Sequence, residues 1–526
     1  MLCLMAFPQS LNAAEPEAYA LKGTIGSLDT LAGGDTTWNA GTTTGTIKIK
    51  LTKPAGGAAF SAYKLLNITN DIGVLKVSVP DNAQEFWKAY LGISETVTVS
   101  KIKEHIKPMS ETQASNSIVT SFKDYANKDN LEKSTVDVGV TGESADIFTG
   151  FGFYIIQQTQ APDGGYIASA PVRACLPMQK GASWISSYTA IPKDSKITLS
   201  KMVQAPNDTG YIKETVAEIG ETLKYKITAD IAKYGSDIGT ITYDLVDELP
   251  TGIEYVNNTA EVKFYNTGVE VPKTGYTVYY DSGARTLTLN LGTDYATYPA
   301  DCDKVEITYD AVLKDNAVVE TTGNENNVEL TYTSAKGVTK TLNASAKAYT
   351  LELDITKVDK DDSTPLAGAV FQVYRSEADA NNSTNAIEFV DISSPDEKIY
   401  RVATAGETGT TDIVEVSAED ATKGEIKILG LNDVTYYFKE TVAPTGYNLP
   451  DSLFGISPAP TEAEKSEVDG QTIYQNMTAQ SADIQNDSGI NLPVTGGMGT
   501  VIFTAIGLLL MAGAAYFLFG KKKRSE

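Results

Sequence analysis

A single histidine, His105, stands among 526 residues. That scarcity removes His-rich metal sites and leaves His-dependent nucleophilic catalysis with one candidate side chain. Cysteine is nearly as rare. Cys3, Cys175 and Cys302 are too few and too widely spaced for a disulfide framework. Two buried thiols is the leading reading, with a Cys175–Cys302 bridge as its alternative. Basic residues are in deficit, 43 Lys and Arg against 67 Asp and Glu, giving a net charge of −24. Nucleic acid is therefore excluded as a partner, because phosphate binding needs clustered Lys and Arg. GxSxG and HExxH are absent, as is a twelve-residue calcium loop, so neither an anchored hydrolase nor a metal site is expected, and no cofactor. Asp361-Asp362 reads as a solvated turn rather than a glycosidase pair.

What is present is the texture of a secreted all-β chain. Apolar residues make up 42 %, enough for packed cores, and the length suggests three or four domains. At the N-terminus, Leu2 to Phe7 is apolar and Leu11-Asn12-Ala13-Ala14 offers small residues. Residues 1–17 thus resemble the tail of a signal peptide that lacks its basic beginning. At the other end, Val501 to Phe519 carries no charge and is long enough to cross a bilayer. Lys521, Lys522, Lys523 and Arg524 follow, which the positive-inside rule keeps in the cytoplasm. Leu492, Pro493, Val494, Thr495 and Gly496 stand just before. Pentapeptide, apolar helix and basic tail together resemble the LPxTG sorting signal of Gram-positive wall-anchored proteins. The resemblance implies that a sortase cuts after Thr495, holds the chain as a thioester and passes it to an amine, with the helix as a temporary membrane handle.

The interior alternates with period 2, and helix is expected only at Asp81 to Ile93 and Ile102 to Asn127. Three segments open alike: Thr46 to Lys53 (TIKIKLTK), Lys196 to Val203 (KITLSKMV) and Thr350 to Val358 (TLELDITKV). They imply three β-sandwich domains of about 150 residues, with boundaries near Lys193 and Tyr349. The expected segments are 1–17 leader, 18–193, 194–349 and 350–488 as domains, and 489–526 as sorting signal.

In a strand, residues i, i+2 and i+4 share a face. Leu351, Leu353, Ile355 and Lys357 are in phase, as are Ile197, Leu199, Lys201 and Val203. Each strand therefore aims a lysine into the apolar layer, where an ammonium is costly unless paired or neutralised. The same rule supplies partners. Val434, Tyr436, Phe438 and Glu440 share a face, and so do Ala482, Ile484 and Asn486. In the second repeat Asp247 is in phase with Tyr243 and Leu245, and Asn326 with Val328 and Leu330. Burial lowers a lysine pKa and raises a carboxyl's. A neutral amine can then attack the Asn carboxamide while the acid shuttles protons, forming an isopeptide bond and releasing ammonia. The competing reading is a buried Lys–acid pair beside a satisfied Asn.

Tyr436 to Tyr447 (YYFKETVAPTGY) resembles the E-box of Gram-positive pilins. With the sorting signal, the chain resembles sortase-assembled major pilins, which implies three tandem Ig-like, Cna-type β-sandwiches plus a transmembrane helix in the precursor. Glu440 would then promote a Lys357–Asn486 bond. Thr242 to Tyr255 resembles the acid-bearing strand of the family's middle domain, placing Asp247, with Asp230 as rival. Asn324 to Tyr332 resembles its last strand, with Asn326 favoured over Asn327 as the partner of Lys201. Trp184 to Lys193 (WISSYTAIPK) keeps the spacing of the pilin motif, with Tyr188, Ala190 and Ile191 as departures, and makes Lys193 the nucleophile joined to Thr495 of the next subunit. Lys196 is its competitor. In the first repeat, YIIQQTQAPDGGY carries Gln158 where the family has Glu, so no internal bond is expected at Lys53. The implied function is a covalent pilus shaft subunit supporting adhesion, not an enzyme. Its implied partners are a pilin-type sortase, a housekeeping sortase, copies of itself, peptidoglycan and accessory pilins. The alternative is a monomeric wall-anchored adhesin.

Overall fold

The computed structural model describes residues 31–488 apart from 33–43, 52–56, 72–73, 139–143, 181–182, 193–194, 235–237, 275, 293–294, 296–300, 395–396 and 415–422, together with 499–520. Expectations on the leader, Lys53, Lys193, Leu492 to Gly496 and the basic tail lie outside the described residues.

Alternating apolar residues close three separate cores. In the first, the long strand Ala58–Asp71 pairs antiparallel with Gly152–Gln160. A three-stranded sheet lies apart, with Thr44–Lys50 flanked by Ser144–Gly150 and, in parallel, Ser187–Ala190. Helices Gln84–Leu91, Val99–Ile106 and Glu111–Asp124 cover this core. Trp87 is fully buried, and its Nε1 donates to the Leu65 carbonyl at 2.7 Å. The single helix expected over 102–127 is two helices. Pro108 falls between them, and Ser110 starts the second with a capping box to Gln113.

The second core lies between two six-stranded sheets. One carries Leu199–Gln204, Thr222–Asp230 and Lys304–Leu313 side by side. The other carries Tyr243–Glu248, Asn324–Ala335 and Val338–Tyr349. Asn324–Ala335 is therefore not the last strand of this unit, as the resemblance implied. A turn through Gly337, at φ +69°, doubles the chain back into Val338–Tyr349. The third core lies between a five-stranded sheet, with Leu351–Asp359 parallel to Gln480–Asn486, and a four-stranded sheet containing Val370–Tyr374 and Tyr436–Val442. The C-terminal helix Gly499–Gly520 has 22 residues, about 33 Å at 1.5 Å per residue. Among the described residues, which include the side chains of only 504–515 here, no helix is long and apolar enough to cross a membrane.

The second and third units are joined without a linker. Val338–Tyr349 continues into Leu351–Asp359 through one buried residue, Thr350. Across the joint, Arg375 Nε donates to both carboxylate oxygens of buried Glu218, at 3.1 and 3.2 Å. Tyr436 donates to the same carboxylate at 2.8 Å. Glu320 accepts from the Glu352 backbone nitrogen at 3.1 Å. Burial, with Asp354 and Glu320 adding negative charge, pushes the Glu352 carboxyl up to about 7, while Lys427 opposes the shift. The folded state thus holds a proton that the unfolded chain releases in the ordinary glutamate range, so this contribution to stability is present on the acid side and is lost as pH rises through about 7. The melting temperature of the C-terminal half should fall between pH 5 and pH 8, and Glu352→Gln should flatten that slope in calorimetry. An unchanged slope in the variant would assign the effect elsewhere.

Candidate functional site

In the middle unit, Lys201 projects from the edge strand of one sheet, where its backbone is paired with Ile227. Its side chain is completely buried. Nζ lies 2.5 Å from Asp247 Oδ1, which reaches across from the opposite sheet. Asp247 and Asn326 stand on adjacent antiparallel strands, with Asp247 paired to Val328, and are 1 % and 0 % exposed. Asn327, the fallback, faces solvent. Asp230, the rival acid, caps Thr198, accepting from its backbone nitrogen at 2.9 Å.

Acid and amide do not touch directly here. Tyr309 comes between them, donating from its hydroxyl to Asp247 Oδ2 at 2.8 Å and accepting from Asn326 Nδ2 at 2.7 Å. Its ring stacks on Tyr225 at 5.3 Å, and Lys201 Nζ sits over both rings. The phase search missed Tyr309, although Val305, Ile307 and Tyr309 alternate inward on Lys304–Leu313 and the same rule would have found it.

Burial draws the Lys201 ammonium down to about 8, against the pull of Asp247. Burial raises the Asp247 carboxyl, against Lys201 and Tyr309. Both shifts favour the neutral amine beside the protonated acid. Asn326 Oδ1 is buried with no hydrogen-bond partner among the described residues. A buried carbonyl in that state is destabilising, by about 1–3 kcal/mol.

The third unit uses a different layout. Lys357 and Asn486 stand on neighbouring parallel strands, with Lys357 paired to Ile484 and Asn486 to Asp359. Glu440 faces them from the other sheet. All three are at most 3 % exposed. Asn486 Nδ2 donates directly to Glu440 Oε1 at 2.7 Å. Lys357 Nζ donates to the Ile484 carbonyl at 2.8 Å and lies 3.9 Å from Glu440 Oε2. Asn486 Oδ1 is also buried without a partner among the described residues. Each constellation buries an amine, a carboxyl and a carboxamide together, the requirements for amide exchange.

In the first unit, Gln158 is 3 % exposed and accepts from the Ser169 backbone nitrogen at 2.8 Å. Further along the same strand pair, buried Lys64 pairs with Glu132 at 2.5 Å and lies over the Tyr154 ring. Trp184 lies on the short strand Ser183–Ile185, and Pro192 is buried. Lys196 is exposed and sits over the Tyr166 ring. Cys175 and Cys302 are buried thiols outside any disulfide, each in a different core. Among the described residues no group of three or more His, Cys, Asp or Glu is arranged to hold a metal.

Residues 350–469 match the SpaA prealbumin-like fold domain, and residues 484–526 match the LPXTG cell wall anchor motif. A type 1 fimbrial subunit of Actinomyces viscosus is 26 % identical over 440 residues, covering 75 % of this chain and 78 % of that protein. The trypsin-resistant surface T6 protein of Streptococcus pyogenes is 22 % identical over 399 residues, covering 65 % of this chain and 72 % of that protein. The solved T6 backbone pilin, described as a modular three-domain structure, covers 85 % of this chain and 98 % of its own at a TM-score of 0.53 and 16 % identity. The chain therefore carries a SpaA prealbumin-like domain and an LPXTG wall anchor, is a cell-wall-anchored surface protein, and is similar over most of its length to fimbrial subunits of Gram-positive bacteria.

Proposed function

We propose that this protein is the shaft subunit of a covalently polymerised pilus. The observation that carries the reading is that two separate cores each bury a lysine beside an acid and a carboxamide. Such a cluster is poorly suited to stability alone, since an apolar replacement of a buried ion pair is often neutral or better. It is well suited to forming Lys201–Asn326 and Lys357–Asn486 amides, promoted by Asp247 and Glu440. These are single-turnover crosslinks, so the chain is a substrate and scaffold rather than an enzyme. The three domains run over 18–193, 194–349 and 350–488. A pilin-type sortase cleaves after Thr495 and joins it to Lys193 of the next subunit. A housekeeping sortase links the base to peptidoglycan, accessory pilins are further partners, and the assembled pilus supports adhesion.

Formation of both bonds should leave the intact chain about 34 Da below its sequence mass, one ammonia per bond. Glu440→Ala should restore about 17 Da of it. A wild-type mass equal to the sequence value would refute the crosslinks. Asp247→Ala leaves a buried lysine without its counter-charge and should lower the stability of the middle domain by about 3–5 kcal/mol. Asp230→Ala loses only the hydrogen bonds its carboxylate accepts from Thr198 and should cost about 1–2 kcal/mol. Lys193→Ala should abolish the detergent-resistant ladder of wall extracts and leave a wall-linked monomer. A persisting ladder would mean that another lysine carries assembly, and a wild-type strain with only monomer would favour the adhesin reading.

A further inference from the structure

The two buried clusters differ in one connection. In the third domain the acid touches the amide: Glu440 Oε1 accepts from Asn486 Nδ2 at 2.7 Å. In the middle domain the acid is an aspartate, one methylene shorter, and a phenol fills the gap. Tyr309 is 2 % exposed and bonded on one side to Asp247 Oδ2 and on the other to Asn326 Nδ2. The far oxygen of the same carboxyl, Oδ1, holds Lys201 Nζ. Amine, carboxyl, phenol and leaving nitrogen therefore form one unbroken hydrogen-bonded chain. Nitrogen must leave as ammonia, so a proton has to reach Nδ2, and this chain ends there.

We infer that Tyr309 is a catalytic residue of the middle domain, the relay that delivers the proton of the attacking lysine to the departing amide nitrogen. The inference rests on the Lys201–Asn326 bond proposed above and specifies how that bond is made. The reacting form of the Lys201–Asp247 pair is neutral: Nζ is an amine that donates to Oδ1, and the acid proton lies on Oδ2, the oxygen facing Tyr309. Nζ attacks Asn326 Cγ, and the carbonyl becomes a tetrahedral centre on which Nδ2 is an amine with a free lone pair. Tyr309 turns its hydroxyl, accepts the proton of Asp247 Oδ2 and gives its own to Nδ2. Oδ1 takes a proton from Nζ in exchange. The Cγ–Nδ2 bond breaks, ammonia departs, and the Cγ–Nζ amide remains. One proton moves from the lysine to the leaving group, Asp247 and Tyr309 end as they began, and no oxidant or cofactor enters. In the third domain Glu440 reaches the amide itself, so no hydroxyl is required there.

Tyr309→Phe keeps the ring that stacks on Tyr225 and removes only the relay. The test follows both crosslinks in the full chain, freshly synthesised, by digestion and mass spectrometry of the joined peptides over time. Tyr309→Phe should slow the Lys201–Asn326 bond by about 100-fold or more, in the range of general acid–base assistance. The Lys357–Asn486 bond should form at its wild-type rate in the same molecules, which also reports that the third domain is folded. Tyr243→Phe removes another buried hydroxyl of the same core, one that donates to the Asp230 carbonyl, and should leave both rates unchanged. Asp247→Glu added to Tyr309→Phe lengthens the acid to the reach of Glu440 and should restore the bond. A wild-type rate in Tyr309→Phe, or equal slowing in Tyr243→Phe, would overturn the relay. A wild-type chain whose Lys201 and Asn326 peptides stay separate would instead overturn the crosslink on which the relay rests.

Discussion

A lysine side chain with no access to water is the constraint that organises this protein. An ammonium in an apolar core is strongly destabilising unless it is paired or loses its proton. In both the middle and third domains the surrounding residues answer that cost in the same currency: a buried carboxyl within reach and a carboxamide beside it. The carboxyl makes the neutral amine accessible, and the amide supplies an electrophile. A permanent amide removes the lysine's charge altogether, because an amide does not titrate. The two domains reach that arrangement by different geometries. One spans two sheets and needs a phenol to complete the contact, and the other lies along two parallel strands with a longer acid facing them.

Those geometries bear on how the molecule carries tension. Leu351–Asp359 and Gln480–Asn486 are the first and last strands of the third core and run side by side in parallel. Pulling the chain apart at its two ends would shear exactly that pair, so an amide between Lys357 and Asn486 would carry the load through covalent bonds. The joint above it has no slack to extend. Thr350 alone separates the last strand of the middle unit from the first of the third, and Glu218 clamps Arg375 and Tyr436 across the boundary. Tyr436 lies on the same strand as Glu440, four residues before it. Docking of the two domains therefore also fixes the strand that presents the acid.

Much of this was legible in the sequence because strand phase is a strong signal when one face is buried. The period of 2 singled out Lys201, Asp247, Asn326, Lys357, Glu440 and Asn486, and all six side chains are buried. The same rule separated Asn326 from Asn327, which a shift of one residue sends to opposite faces. What it missed has physical reasons. Tyr309 looks like any core aromatic until its hydroxyl partners are seen, and composition alone cannot tell a packed ring from a bridging phenol. Strand Val338–Tyr349 was overlooked because its burial pattern is polar along most of its length, as expected for a strand with one wet face. The break between the two helices after Ile106 was marked by Pro108 and Ser110, but helical periodicity continued across it. The joint at Thr350 depends on contacts between residues more than 150 positions apart, such as Glu218 with Arg375, and no local pattern announces them.

The most direct measurement is an atomic-resolution crystal structure of the mature chain, read at two places. The account predicts continuous density from Lys201 Nζ to Asn326 Cγ and from Lys357 Nζ to Asn486 Cγ, each planar as an amide is. Separate side chains at both positions, with intact carboxamides, would contradict it.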